Sequence, residues 1–131
     1  MKNLILIITL SASGFLFVNF NIADGKGPAS KEKMIEIPDD VQAVIDNSCY
    51  GCHNSDSRND KAKKKLSFDK LSKLKTYKVV GKLTDIQEII MEGEMPPKKF
   101  VKKYPDHALN DEAKDLLLGW AKKSANKIAG K

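Results

Sequence analysis

The chain has 131 residues, which predicts one domain. It carries 23 lysines and arginines against 17 aspartates and glutamates, so its formal net charge is +6. This basic balance is compatible with an acidic protein, a membrane surface or a nucleic acid as the partner.

The first 23 residues predict an export signal. Lys2 precedes an apolar run from Leu4 to Phe20, and Ala23 follows as a small residue at the cleavage position. The run is slightly shorter than the roughly 20 apolar residues that span a bilayer comfortably. We therefore expect a cleaved signal peptide and a periplasmic protein, with an uncleaved membrane anchor through residues 4–20 as the alternative. Export leads us to expect no nucleic-acid partner.

The next residues divide the mature chain into a leader, a domain and a tail. Residues 24–36 combine glycine, proline and alternating charges, which is typical of a flexible leader. We expect the folded domain to cover residues 37–125 and a C-terminal tail to cover residues 126–131. A domain this small buries a modest core and is often stabilised by an additional cross-link or bound group.

The first predicted helix begins at Pro38-Asp39-Asp40 and leads directly into Cys49. Spacings of three and four place one set of its residues on a single, mainly apolar face: Val41, Val44, Ile45 and Ser48. Residues 54–65 are polar and rich in lysine, and we interpret them as a surface loop with room for a helix at its end. A short apolar helix is then predicted from Leu66, Phe68, Leu71 and Leu74.

Further helices are predicted in the second half of the chain. Tyr77 and Leu83 are expected to make apolar contacts, and Thr84 with Gln87 has the form of a capping box that begins a helix. Gly93 is placed to end that helix, and the following Glu-Met-Pro-Pro segment cannot be helical. The last helix is predicted to begin after Asn110 and to bury one apolar face, formed by Ala113, Leu116, Leu117 and Trp120. Because no strand pattern, repeat or phosphate-binding loop is evident, the fold class is predicted to be all-α.

The segment from Cys49 to His53 reads Cys-Tyr-Gly-Cys-His, the C-x-x-C-H signature of covalent c-type haem attachment. Cys49 and Cys52 would each form a thioether to the haem, and His53 would ligate the iron. A disulfide between the two cysteines leaves His53 without a role. A zinc site would need His107 as its fourth ligand, and a thioredoxin-like redox pair would need a βαβ setting.

Met95 is the predicted second axial ligand of the iron. A methionine sulfur is a weak ligand that must be held by its backbone, and the two prolines after Met95 restrict that backbone. Met91 is predicted to lie in the core, Met34 lies in the leader, and His107 is expected in a solvated turn as the substitute ligand. Trp120 is predicted to be a core residue that packs near the haem, with its indole N–H within reach of a propionate.

The Cys49–His53 motif, the Gly-Glu-Met-Pro-Pro segment around Met95 and the helix that ends in Trp120 resemble the small bacterial haem-binding domain family. That family is related to class I c-type cytochromes, and the resemblance covers about residues 37–121. It implies a periplasmic, mostly helical domain wrapped around one covalent haem c. It also implies Cys49 and Cys52 as attachment sites, His53 as the proximal ligand and Met95 as the distal ligand.

We therefore expect a mono-haem electron carrier rather than an enzyme, because both axial positions of the iron are filled by side chains. Its partners would be acidic redox proteins, steered by the many lysines. Two alternatives stay open. One is a haem-based sensor or small haem enzyme with a labile distal ligand, and the other is an exported interaction domain held by a disulfide.

Overall fold

The computed structural model describes residues 35–131, which are helical and contain no strand, as predicted for an all-α fold. The predicted signal peptide and nearly all of the predicted leader lie outside this range. The six α-helices of the described range are α1 (Asp39–Ser48), α2 (Asp60–Lys65), α3 (Phe68–Leu71), α4 (Thr76–Met91), α5 (Lys98–Lys103) and α6 (Asp111–Ala129). A 3₁₀ turn covers Pro105–His107. Within residues 35–131, no helix has the length and apolar character needed to cross a membrane.

The core is formed mainly by buried residues of α1, α3, α4 and α6. The long helices α4 and α6 pack along each other, and α1 packs against the same α6. Four core side chains, one from each of these helices, are essentially inaccessible to water: Ile45, Leu71, Leu83 and Leu117. Burying a side chain of this size contributes about 1.5–3 kcal/mol. These contacts fix the end of α1, from which the Cys49–His53 motif emerges.

The predicted beginnings of the first and last helices are confirmed. Asp39 and Asp40 occupy the first turn of α1, where negative charge suits the helix dipole. The side-chain oxygen of Asn110 accepts a hydrogen bond of 2.8 Å from the backbone N–H of Ala113 and caps α6. That helix continues to Ala129, so most of the predicted tail at residues 126–131 is helical.

The predicted helix start at Thr84 is wrong, because α4 runs without a break through this position. The Thr84 hydroxyl donates to the carbonyl of Val80, and the Gln87 side-chain amide donates to the carbonyl of Leu83, both at 3.1 Å. Neither side chain accepts from a free backbone N–H, as a cap would. The helix extends in the N-terminal direction because Val79 and Leu83 continue its buried face, so tertiary packing overrides the local capping signal.

Two side chains of α4 that were predicted to make apolar contacts are exposed instead. Tyr77 and Met91 each keep 67% of their surface accessible, so Met91 is not a core residue. The buried face of α4 passes through Val79, Leu83 and Ile90. Because each residue of an α-helix turns by about 100°, Met91 lies well to one side of the face that includes Ile90.

The last residues of the predicted leader pack on the domain. Ile35 and Ile37 contact the core, and the carbonyl of Glu36 accepts a hydrogen bond of 2.9 Å from the indole N–H of Trp120. Ile35 and Glu36, two residues of the predicted leader, are therefore in contact with the domain. Trp120 is buried, as predicted, but its N–H binds this carbonyl rather than remaining available for a propionate.

Candidate functional site

The Cys49–His53 motif forms a tight turn directly after α1. The N–H of Cys49 donates to the carbonyl of Ile45 at 2.8 Å and closes the helix. The Cys49 carbonyl then accepts hydrogen bonds from the N–H groups of Cys52 and His53, at 3.1 and 3.0 Å. The turn therefore groups two thiols and one imidazole at the end of a helix that the core holds in place.

The two thiols are free and partly buried. Cys49 packs against the hydrophobic core, and this burial raises the pKa of its thiol from 9.0 to about 11. A thioredoxin-like redox pair works in the opposite way, because its reactive thiol has a lowered pKa. The environment of Cys49 thus does not favour dithiol redox chemistry, whereas it provides an apolar contact for a bound ligand.

The imidazole of His53 is oriented by the backbone of a distant residue. Its Nδ1 lies 3.2 Å from the carbonyl oxygen of Leu66. Because a carbonyl oxygen can only accept a hydrogen bond, Nδ1 must carry the proton, and the lone pair of Nε2 is left for a metal. Histidines that ligate metals usually donate their other ring N–H in this way. The N–H of Phe68 also donates to the carbonyl of His53 at 3.0 Å.

The Asp69 carboxylate stabilises the loop that follows the motif through hydrogen bonds. One oxygen of Asp69 accepts the backbone N–H of Ser55 at 3.0 Å, and the other accepts the Ser55 hydroxyl. These hydrogen bonds, led by that of the hydroxyl, lower the pKa of Asp69. Together with the two bonds of His53, they join the residues after Cys52 to the segment that begins at Leu66. Sequence reasoning missed Leu66 and Asp69. Leu66 accepts through its backbone carbonyl, which leaves no signal in the sequence, and the Asp69 carboxylate lies fourteen residues from Ser55.

Met95 follows a tightly defined helix end. The N–H of Glu94 donates to Ile89 and the N–H of Gly93 donates to Ile90, both at 3.1 Å, and Gly93 has a φ of +66°. This is the Schellman arrangement, in which a residue in the left-handed region ends the helix. The Met95 side chain is partly buried and packs against the core, as Cys49 and Leu66 do. The same hydrophobic core is therefore contacted by Cys49, by Leu66 and by the candidate distal ligand Met95.

The other candidate ligands occupy different settings. His107 is partly buried rather than solvated, and its Nδ1 is hydrogen-bonded to the carbonyl of Asn47 near the end of α1. Its ring also lies 5.6 Å from that of Phe100. Met91 is exposed, and Met34 lies outside the described residues. Among residues 35–131, no three His, Cys, Asp or Glu side chains are placed to share a metal ion, so His107 does not join the motif as a zinc site would require.

The donor set suits a covalently held haem. Two free thiols lie in one turn with an imidazole whose Nε2 is available, and a thioether side chain lies on the same core. Thiols can bond to the haem periphery, while nitrogen and thioether sulfur are common axial ligands of its iron. The chemistry of these donors therefore fits a haem, and the hydrogen bond at His53 Nδ1 leaves Nε2 available to its iron.

Comparison with known proteins gives one family and no individual relative. The family model described as "Haem-binding domain" matches residues 57–123, just over half of the chain. This range begins after the Cys49–His53 motif and includes Met95 and Trp120. No curated protein and no solved structure matches the chain, so the relation to class I cytochromes stays a prediction. The chain belongs to the haem-binding domain family and is a haem-binding protein.

Proposed function

We propose that the protein is an exported c-type cytochrome with one haem, which carries electrons between partner proteins and performs no catalysis. The observation that carries this proposal is the hydrogen bond from Nδ1 of His53 to the Leu66 carbonyl, within a C-x-x-C-H turn. It holds the ring in the tautomer that a metal ligand needs. Two free thiols in the same turn supply the groups that covalent haem attachment needs.

Four side chains would hold the haem. Cys49 and Cys52 would attach it covalently, His53 would be one axial ligand, and Met95 would be the other. The haem would supply reversible one-electron exchange at its iron. A histidine and methionine ligand pair favours a raised reduction potential. Covalent attachment would also stabilise a domain of this size, whose own apolar core is modest.

The surroundings of Met95 favour a filled distal position. The Schellman turn at Gly93 fixes the chain before Met95, and Pro96 and Pro97 restrict it afterwards. The backbone at Met95 therefore loses little entropy on metal binding, which helps a weak thioether ligand to stay bound. A filled position excludes small molecules from the iron and so favours electron transfer over sensing or catalysis.

Covalent haem attachment takes place outside the cytoplasm, and we therefore propose that the chain is exported to the periplasm. Residues 1–23 would direct export, either as a cleaved signal peptide or as an anchor through residues 4–20. The redox partners would then be periplasmic or membrane proteins with an acidic surface.

Carbon monoxide binding to the reduced protein tests the distal ligand. We expect the wild-type protein to bind carbon monoxide poorly and the Met95→Ala variant to bind it readily, with the haem still attached. Met91→Ala is the matched control, since Met91 is four residues away but exposed, and it should behave as the wild type. Ready binding by the wild-type protein would contradict the carrier and favour a sensor or small haem enzyme with a labile distal ligand.

A further inference from the structure

An open groove of about 710 Å³ lies beside the segment that anchors His53. It is lined by residues of α2, α3 and α4, by the connections between them, and by Ser55, which precedes α2. Leu66 and Leu74 provide apolar surface, and both pack against the core. Most of the remaining lining consists of lysines, namely Lys63, Lys64, Lys65, Lys70, Lys78 and Lys82.

The charge of this groove is strongly one-sided. Asp85 is the one carboxylate among its lining residues, and it pairs with Lys82 at 2.9 Å. Lys63 pairs with Asp60, also at 2.9 Å. The other four lysines of the groove take part in none of the four ion pairs found within residues 35–131. A cleft lined by charges of one sign concentrates the electrostatic field and attracts groups of opposite charge.

The groove is close to the candidate haem ligand along the chain and through hydrogen bonds. Leu66 lines the groove, and its carbonyl binds Nδ1 of His53. Ser55, two residues after His53, also lines it and is fastened to Asp69. A molecule bound in the groove would therefore contact residues directly joined to the proximal histidine. Such proximity is what an electron-transfer partner needs.

We propose that this lysine groove is the docking site for the redox partner and binds an acidic segment of that protein. Carboxylates of the segment would pair with Lys64, Lys65 and Lys78, while an apolar side chain would contact Leu66 and Leu74. The proposal rests on the electron-carrier function and specifies the surface that function would use. A protein segment fits a concave groove with an apolar floor, whereas a membrane surface would meet the convex faces around it.

Binding of a defined acidic peptide to the full-length, haem-loaded protein tests the groove. The probe is a fluorescent peptide of eight glutamates and two leucines, measured by anisotropy at low ionic strength. In the groove variant, Lys64, Lys65 and Lys78 are each changed to glutamate. In the control variant, the same change is made at Lys122, Lys123 and Lys131, which line a separate surface near the end of α6. Both variants have the same net charge.

We expect the groove variant to bind the peptide about tenfold more weakly than the control, as three exposed ion pairs would predict. Added salt should reduce this difference, because it screens exposed charges. Equal binding by the two variants would overturn the proposal, since attraction would then depend on net charge alone. Vesicles of phosphatidylglycerol and phosphatidylcholine provide a second probe. A groove-dependent loss of vesicle binding without a loss of peptide binding would also overturn it.

The peptide-binding test is independent of the test for electron-carrier function. Peptide affinity does not depend on the iron, whereas the absorption spectrum reports the haem directly. A wild-type protein without covalent haem would contradict the proposed function whatever its peptide affinity. Equal peptide binding by two variants that both keep the haem spectrum would contradict only the docking site.

Discussion

The hydrogen bond between Trp120 and Glu36 predicts how the last helix contributes to stability and to the haem environment. Trp120 is 6% exposed, and its N–H donates to the Glu36 carbonyl at 2.9 Å. In Trp120→Phe, loss of this bond should cost about 1 kcal/mol. The smaller ring should cost a comparable amount through lost packing, so we expect unfolding free energy to fall by about 2 kcal/mol. Trp120→Ala should cost about 3–5 kcal/mol.

The assay is guanidinium unfolding of the haem-loaded variants, together with measurement of their reduction potentials. Because the indole N–H is bound to a backbone carbonyl, Trp120→Phe should leave the reduction potential unchanged. If the N–H instead bonded to a haem propionate, removing it would change the electrostatics of the haem. A shifted potential in Trp120→Phe, with stability unchanged, would refute the hydrogen-bond assignment at Glu36.

Two further predictions concern the backbone and the first thiol. Gly93→Ala should lower stability by about 1–2 kcal/mol because φ is +66° there. Gly81→Ala, within α4, should raise stability by about 0.5–1 kcal/mol. At both positions the added methyl group meets no atom within 4 Å, so steric clashes do not explain the difference. Equal changes in the free energy of unfolding for the two variants, measured with denaturant, would contradict the backbone explanation. In the haem-free chain, the folded state holds the Cys49 proton more tightly than the unfolded state, because the pKa rises from 9.0 to about 11. Stability to urea should therefore fall by about 2–3 kcal/mol as the pH rises from about 9 to 11. Haem attachment to Cys49, or the substitution Cys49→Ala, should remove this loss of stability. If Cys49→Ala keeps the same pH dependence, the Cys49 thiol is not its cause.

Local signals were enough to predict the elements on both sides of the motif. The acidic first turn of α1 and the Asn110 cap of α6 act within three or four residues, so each can be read from a short stretch. The same holds for Gly93, whose left-handed conformation ends α4. Of these three features, the turn at Gly93 is the one that bears directly on the site, because it ends α4 just before Met95.

Signals that compete with burial were misleading. Thr84 and Gln87 match a capping box, yet the helix passes through them because the apolar face continues on their N-terminal side. Met91 is apolar and follows the buried Ile90. The helix turns by about 100° between these two residues, so the Met91 side chain is exposed to solvent. The helix α5 was also not predicted, since it is one of the short elements with no buried residue.

The supports of His53 could not be predicted from the sequence. Leu66 acts through its backbone carbonyl, which every residue possesses, and Asp69 acts across fourteen residues of chain. Both depend on how α3 folds back onto the turn after the motif. The match to the haem-binding domain begins at residue 57, after the cysteines. The hydrogen bonds from His53 and Ser55 connect the motif to that matched region.

Covalent retention of haem tests the central proposal most directly. The full chain should be produced with its N-terminal segment in a host that attaches haem to exported proteins, then denatured and separated by electrophoresis. We predict one haem that stays with the wild-type polypeptide, and no retention in a variant with both Cys49→Ala and Cys52→Ala. Complete loss of haem from the denatured wild-type chain would contradict covalent attachment through the Cys49–His53 motif.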